Sequence, residues 1–360
     1  MNQKIILISL FLLSGYFALQ AQTPHEVSFS ELTAEDIDFI FKESGKLYLS
    51  QKGYSIDHMI KVGNHKFTTS RKYMNEIRIF DDQNLLIQKL SIKPTAPRQI
   101  LEIYRVGDEV YAVFRATNKK TYRLTQRNNG EYKIKTVKSV AKNKSAYFNK
   151  TIPLADKEFL VSDYTGPPRG NPVESTVMMN DPEKKQMDTL AVIKRPGDLM
   201  VLQQPFSSWT YDITEGANAQ NVFVHNTQSN LGLVVDKAGK ISAKFSVSDL
   251  IKKHDLASIK SFLMGRYHYY VRIITDYEQE KTYLYTGGLD EQNEAHGILF
   301  EWETSRLEWE KVDFITETET FPFLNLREIE GGIVYFLIKD DQGANSVYKK
   351  ELVQSDPIKK

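Results

Sequence analysis

Residues Arg266–Tyr270 read Arg-Tyr-His-Tyr-Tyr and include three side chains capable of acid–base or electrostatic chemistry. Because side chains alternate along a strand, Arg266, His268 and Tyr270 would share one face. Such groups could abstract a proton from a polysaccharide and stabilise the charge that forms, which is the chemistry of a lyase. The alternative is a structural strand whose aromatic side chains pack between sheets, because aromatic residues are common strand formers. We favour the structural interpretation and keep the three residues as binding candidates.

A second candidate site is the proline-rich stretch Tyr164–Pro172, which would leave the end of a strand as a stiff loop. Loops on a rigid scaffold often carry binding residues, so Tyr164 and Arg169 are candidates. A plain connection between two strands is the alternative.

The tryptophans could form platforms on which sugars stack. A turn at Thr304–Arg306 would bring Trp302 and Trp309 together across a hairpin. Cross-strand aromatic pairs stabilise a sheet by roughly 0.2 to 1 kcal/mol, and this structural role is our default interpretation. Both tryptophans are kept as candidate binding residues.

No pattern of metal or catalytic residues appears in the sequence. The seven histidines never adopt a zinc-ligand spacing, and acidic turns such as Asp81–Asn84 lack the closing glutamate of a calcium loop. There is no Gly-x-Ser-x-Gly motif, no cysteine and no glycine-rich phosphate loop. We therefore predict no metal site, no cofactor and no catalytic residue, and lean towards a protein that is not an enzyme.

The elements that would position these candidates are strands. Apolar and polar residues alternate along most of the chain, with Gly, Asn and Asp at the breaks, which predicts an all-β fold. One short helix is predicted at Val247–His254, with Ser248 or Asp249 as its cap.

Six similar strand cores recur, and their spacing fits propeller blades of about 40 to 50 residues, some with an insertion. They are Leu47–Leu49, Val110–Phe114, Phe159–Val161, Val222–Val224, His268–Val271 and Ile333–Phe336. Several continue into a second strand, a tight turn and a third strand, as a blade does. The hairpin Glu76–Ile87 is an extra piece that is either an insertion or part of a seventh blade.

This pattern resembles the six-bladed β-propellers common among exported Bacteroidetes proteins. The resemblance implies one propeller domain over residues 22–360, with six blades or seven, and it transfers no functional residue. Two β-sandwich domains divided near residues 196–205 are the alternative fold.

The first residues indicate export. Lys4 precedes the apolar run Ile5–Leu13, and small residues lead to Ala21, which is typical of a signal peptide over residues 1–21. The absence of cysteine, and hence of a lipobox, favours a soluble bacterial envelope protein. We predict that it is periplasmic, or exported and held at the cell surface by a partner, with no direct membrane span.

Charge is balanced overall but uneven along the chain. The net charge of +1 argues against nucleic-acid binding. Basic residues crowd 119–144 and acidic residues crowd 276–319, which indicates solvated outer strands or, alternatively, a bipolar surface for a charged partner. We therefore expect a non-enzymatic scaffold that binds a protein of the cell envelope. The alternative is a carbohydrate-binding or carbohydrate-active propeller.

Overall fold

Six four-stranded antiparallel sheets make up the fold, a six-bladed β-propeller. The computed structural model describes residues 46–93, 101–114, 120–138, 146–165, 172–194, 211–226, 231–254, 270–289, 295–312, 325–339 and 344–352. The all-β and six-bladed predictions are confirmed. The seven-bladed alternative and the pair of sandwiches are wrong.

The first strand in the chain, β1, spans Lys46–Leu49, and the next twenty strands form five blades in chain order. Blade 1 contains β2 (His58–Val62), β3 (His65–Thr69), β4 (Glu76–Phe80) and β5 (Leu86–Ser91). Blade 2 contains β6 (Leu101–Val106), β7 (Glu109–Phe114), β8 (Lys120–Gln126) and β9 (Tyr132–Lys138). Blade 3 contains β10 (Ala146–Leu154), β11 (Lys157–Thr165), β12 (Pro172–Asp181) and β13 (Gln186–Lys194).

Blades 4 and 5 follow the same plan. Blade 4 contains β14 (Tyr211–Glu215), β15 (Asn221–Asn226), β16 (Leu231–Asp236) and β17 (Ile241–Ser246). Blade 5 contains β18 (Tyr270–Asp276), β19 (Lys281–Leu289), β20 (Ala295–Glu303) and β21 (Glu308–Val312).

Blade 6 closes the ring with strands from both ends of the described chain. Its members are β22 (Asn325–Glu330), β23 (Ile333–Lys339), β24 (Asn345–Glu351) and β1. The order β1-β24-β23-β22 makes β1 the outermost strand, and β22 in turn contacts β2 of blade 1. The predicted extra hairpin Glu76–Ile87 is therefore the outer part of blade 1, and neither an insertion nor a seventh blade.

A buried lysine helps to hold the closing strand in place. The ammonium of Lys66 donates to the carbonyl oxygens of Asp81 and Asp82 at 2.7 and 3.1 Å and to the side-chain oxygen of Asn84 at 2.6 Å. Asn84 in turn donates to the carbonyl of Tyr48 in β1. All three ammonium protons thus have acceptors, which offsets the cost of burying the charge.

The core lies between the blades, because each sheet presents alternate side chains to both neighbours. In blade 4, Val222 and Val224 pack with blade 3, whereas Phe223 packs with blade 5. Equivalent apolar layers join blades 1 and 2, blades 5 and 6, and blades 6 and 1. The fold is therefore a closed circle of blade-to-blade interfaces.

A single short helix occurs in the described ranges. It is α1 (Val247–Lys253), as predicted, but its cap is Ser246, whose hydroxyl accepts from the backbone of Asp249. None of the described helices is long and apolar enough to cross a bilayer.

The charged stretches lie mainly on outer strands. In blade 2, Lys133 and Lys135 lie on the outermost strand β9, partly or fully exposed. Three of the described acidic residues of blade 5 pair with nearby bases, and these pairs are Lys281–Glu301 at 3.0 Å, Lys253–Glu308 at 2.8 Å and Arg306–Glu310. The acidic stretch is thus neutralised in part.

Candidate functional site in the central channel

Five of the seven candidate binding residues from the sequence lie outside the described residues or have side chains that the structure does not describe. Arg169, Arg266 and His268 lie outside the described residues. The backbone of Tyr164 pairs with Ala146 and Glu174 within blade 3, and Tyr270 is the first residue of β18. As binding residues these five remain predictions.

Trp302 and Trp309 are directly opposite each other in β20 and β21, as the hairpin interpretation predicts. Their ring centroids are 5.1 Å apart, and both rings contact Phe223 of blade 4. Only 8% of Trp302 and 1% of Trp309 is exposed. Both rings therefore pack in a blade interface, which is the structural role that we expected by default, and as binding residues they stay predictions.

The innermost strands β2, β6, β10, β14, β18 and β22 border the central channel. We call the end where these strands begin the entry end. We call the end where they turn back into the second strand of each blade the turn end. Charged side chains lie near both ends.

Arg105, at the turn end, joins blades that are not neighbours in the ring. Its guanidinium lies 2.9 Å from a carboxylate oxygen of Glu330 in blade 6 and donates to the carbonyl of Lys61 in blade 1 at 2.8 Å. It also donates to the carbonyl of Gly107 and lies 4.2 Å from the ring centroid of Tyr277. The side chains of Arg105 and Glu330 are each only 6% exposed. Because blades 2 and 6 are separated by blade 1, this buried pair reaches across the channel.

Glu215 extends the same network to blade 4. Its carboxylate accepts from the backbone N–H of Gly107 in blade 2 at 2.7 Å and from the hydroxyl of Tyr277 in blade 5 at 3.0 Å. Burial raises the pKa of Glu215, although these two hydrogen bonds oppose the shift. Together with the carbonyl of Lys61, the side chains of Arg105, Glu215, Tyr277 and Glu330 connect five of the six blades at the turn end.

Asp276 joins the turns of blades 5 and 6 at that end. Its fully buried carboxylate accepts from the backbone of Glu278 and Gln279 in its own turn, and from Gly331 and Gly332 in the next blade at 2.9 and 2.8 Å. Both glycines have positive φ, which lets two consecutive N–H groups converge on one carboxylate. The paired glycines thus form an anchor between the two blades.

Glu328 is a second buried carboxyl on β22. Burial raises its pKa well above the ordinary value, and the charge of Glu330 adds to the shift while Arg105 opposes it.

The Glu328→Gln variant is expected to gain stability relative to wild type as the pH rises from 4 to 8. A glutamate in an unfolded chain loses its proton near pH 4.3, whereas folded Glu328 keeps it to higher pH. The wild type therefore loses free energy of unfolding with rising pH, and glutamine removes that loss. Urea unfolding at each pH measures the difference. The exposed Glu131→Gln variant should show the same pH dependence of the free energy of unfolding as wild type. If the stability difference between Glu328→Gln and wild type did not change with pH, the raised pKa of Glu328 would be contradicted.

At the entry end, each innermost strand contributes one half-buried ionisable side chain near its beginning or middle. We call this set the entry ring: His58, Glu102, Lys150, Asp212, Arg272 and Arg327. Three bases against two carboxylates leave one net positive charge when His58 is neutral. Arg272 and Arg327 lie on neighbouring blades, so the positive side of the ring is at blades 5 and 6.

The most defined part of the entry ring is an ion pair between blades 3 and 4. The ammonium of Lys150 lies 2.7 and 3.0 Å from the two carboxylate oxygens of Asp212. Burial alone raises the pKa of Asp212, but Lys150 and the backbone N–H of Ile213 outweigh it and lower the pKa to about 2. Asp212 is therefore ionised at any physiological pH.

His225 lies directly opposite Asp212 in the pairing of β14 with β15. It is 1% exposed, and its ring lies against the backbone of Val271 in blade 5. Burial lowers its pKa to about 4, and Asp212 only partly offsets this, while Lys150 and Arg272 lower it further. The imidazole is therefore neutral at pH 7.

Sequence reasoning missed the residues at both ends of the channel. The charged residues of different blades are tens of residues apart in the sequence. The available signal was the presence of a charged or ionisable residue in each innermost strand, and using it requires every blade to be aligned correctly. The described ranges contain no cluster of three or more His, Asp or Glu that could hold a metal ion.

No family model matches this chain, and no curated protein matches it. Several solved structures resemble it. One is a streptogramin B lyase, at 9% identity with a TM-score of 0.42, covering 85% of this chain and 97% of that one. A member of the DUF4221 family from Bacteroides vulgatus is also 9% identical, with a TM-score of 0.44 and coverage of 85% and 93%. A Bacteroides thetaiotaomicron protein of unknown function is 11% identical, with a TM-score of 0.49 and coverage of 85% and 72%. At these identities no activity or ligand is transferred to this chain.

Proposed function

We propose that this chain is an exported, non-enzymatic propeller that binds a protein of the cell envelope through the entry end of its disc. The observation that carries the proposal is that each of the six innermost strands has a half-buried ionisable side chain near its beginning or middle, at the entry end. At the turn end, Arg105, Glu215, Tyr277 and Glu330 contact one another and backbone groups of the blades.

Such a ring suits recognition because half-buried charges combine partial desolvation with access to a partner. Charges in this setting give specificity and faster association. A propeller supplies a rigid frame for them, although the fold alone does not determine the function. The signal-like N-terminal segment supports export, which makes the protein periplasmic or attached at the cell surface by that partner.

The proposal is tested by expressing the tagged full-length chain in its own bacterium and purifying it from the solubilised envelope. Quantitative mass spectrometry should identify one envelope protein at a stoichiometric ratio. The charge reversal Glu102→Lys at the entry end should reduce its recovery at least tenfold. Glu131→Lys, a reversal in the same blade at an exposed side chain in the turn between β8 and β9, should leave recovery unchanged.

Thermal melts of the purified variants establish that Glu102→Lys is folded. Absence of a stoichiometric partner from the wild-type sample would overturn the proposal. Equal recovery of the partner with wild type, Glu102→Lys and the control variant would place the binding site away from the entry ring and overturn that part of the proposal. Depletion of a polysaccharide by wild-type protein without a protein partner would favour the carbohydrate alternative.

A further inference from the structure

Three chain segments meet at the entry end where blade 1 begins. Residues 51–57 lead from β1 into β2, and the antiparallel order of blade 1 places the β3–β4 loop and the residues after β5 at the same end. Backbone hydrogen bonds join the segments, because Asp57 donates to the carbonyl of Thr69 and Ile92 donates to that of Asn75. We call the surface formed by residues 51–57, 70–78 and 91–93 the basic corner.

The fully exposed charges of the basic corner are all positive. They are Lys52, Arg71, Lys72 and Lys93. Its two carboxylates are half-buried and already paired. Asp57 accepts from the backbone N–H of Arg71 at 2.6 Å, although the side chain of Arg71 stays 67% exposed, and Glu76 accepts from the buried Arg78. Five bases against two carboxylates leave three net positive charges on this surface.

A stack of two rings and a guanidinium holds the loops of the basic corner together. The rings of Tyr54 and Tyr73 are stacked with centroids 5.7 Å apart, and the guanidinium of Arg78 lies 3.8 and 4.9 Å from them. Arg78 also donates to the side-chain oxygen of Gln51 at 2.6 Å. The exposed charges therefore stand on a frame that is fixed before binding, which lowers the entropy lost on association.

Met74 gives the basic corner one apolar contact. It is 39% exposed, and it is the one large apolar side chain exposed in these three segments, all of which the structure describes. A site for a membrane surface buries a broad apolar face made of several residues. A methionine, by contrast, adapts to the side chains of a protein partner. One apolar contact among positive charges therefore fits an acidic protein segment better than a bilayer.

We propose that the basic corner binds an acidic segment of the partner protein in which carboxylates flank an apolar residue. This inference rests on the proposed function, which it deepens by naming a surface at the entry end and the chemistry of the segment. Lys52, Lys72 and Lys93 attract the carboxylates, and complementary charge of this kind gives specificity and faster association. Met74 contacts the apolar side chain.

The test is calorimetric titration of the purified mature chain with three probes. The first is the capped peptide acetyl-Glu-Glu-Leu-Glu-Glu-amide, the second is its glutamine counterpart, and the third is vesicles of phosphatidylglycerol. The glutamate peptide should bind at least tenfold more tightly than the glutamine peptide. Equal binding of the two peptides would overturn the inference. Binding of the vesicles without binding of the glutamate peptide would overturn it in favour of a membrane surface.

Matched variants locate the site. The double reversal Lys52→Glu/Lys72→Glu should weaken binding of the glutamate peptide at least tenfold, whereas Lys52→Arg/Lys72→Arg should retain it. The control is Lys133→Glu/Lys135→Glu on β9, which changes the net charge equally and should alter binding less than twofold. Equal weakening by the two reversals would show an effect of overall charge and overturn the location. Thermal melts establish that the variants are folded.

Met74→Ser tests the apolar contact separately from charge. It should weaken binding of the glutamate peptide about threefold or more, because the exposed part of Met74 loses its apolar contact with the leucine. Unchanged binding would overturn the role of Met74 and leave recognition to the charges alone.

Envelope purification with Lys52→Glu/Lys72→Glu separates this inference from the proposed function. Recovery of the stoichiometric partner should fall at least tenfold. Undiminished recovery would leave the proposed function standing and exclude the basic corner as the contact surface. Absence of any partner from the wild-type sample would remove the proposed function and, with it, the segment that this inference names.

Discussion

Replacing Asp276 with alanine is expected to lower the free energy of unfolding by about 4 kcal/mol or more. The carboxylate accepts four backbone hydrogen bonds, two within the turn of blade 5 and two from Gly331 and Gly332 of blade 6. Hydrogen bonds to a charged group contribute roughly 1.5 to 3 kcal/mol each, and a buried donor left unpaired is costly. Alanine removes all four acceptor contacts at a fully buried position.

Urea unfolding monitored by tryptophan fluorescence measures this effect. Asp108→Ala is the matched control, because that aspartate lies in the corresponding turn of blade 2 and its side chain is 96% exposed. Its free energy of unfolding should stay within about 0.5 kcal/mol of wild type. A loss below 1.5 kcal/mol for Asp276→Ala would show that water or a rearranged turn replaces the carboxylate.

Strand type and blade number follow from sequence, because both depend on local patterns. Alternation predicts the strands, and the turn at Thr304–Arg306 predicts the contact between Trp302 and Trp309. Alignment of the blades was less accurate. Four of the six proposed strand cores belong to the second strand of a blade, whereas Leu47–Leu49 belongs to the outermost strand β1, and the core beginning at His268 runs into the innermost strand β18.

These two errors have a common physical cause. Strands of one blade have similar patterns, because every sheet is covered on both faces by its neighbours. Phe67 on β3 and Tyr283 on β19 are the second-strand positions that the alignment missed. Ring closure by β1 also cannot be read locally, since it pairs residues 301 positions apart, Leu47 with Tyr348.

The channel networks depend on closure of the ring and therefore lie beyond local patterns. Nothing near Arg105 in the sequence predicts that its guanidinium pairs with Glu330, because the contact exists only when blades 2 and 6 face each other across the channel. The bonds from Gly331 and Gly332 to Asp276 likewise require the neighbouring blade to be in place.

Replacing Arg105 with methionine is expected to lower the free energy of unfolding by roughly 3 to 5 kcal/mol. The variant keeps much of the apolar length but loses the ion pair with Glu330 and the bonds to the carbonyls of Lys61 and Gly107. Removing one partner of a buried ion pair leaves the other charge buried without compensation, which is the larger part of the cost.

A double-mutant cycle distinguishes the ion pair from simple packing. Adding Glu330→Gln to Arg105→Met removes the stranded carboxylate, so the double variant should be more stable than Arg105→Met alone by at least 1 kcal/mol. The exposed pair Arg306 and Glu310 is the control, and its cycle should give a coupling below about 1 kcal/mol. If the two cycles gave the same coupling, the buried network at the turn end would contribute no more than a surface contact, and the rigid closure of the channel would have to come from blade packing alone.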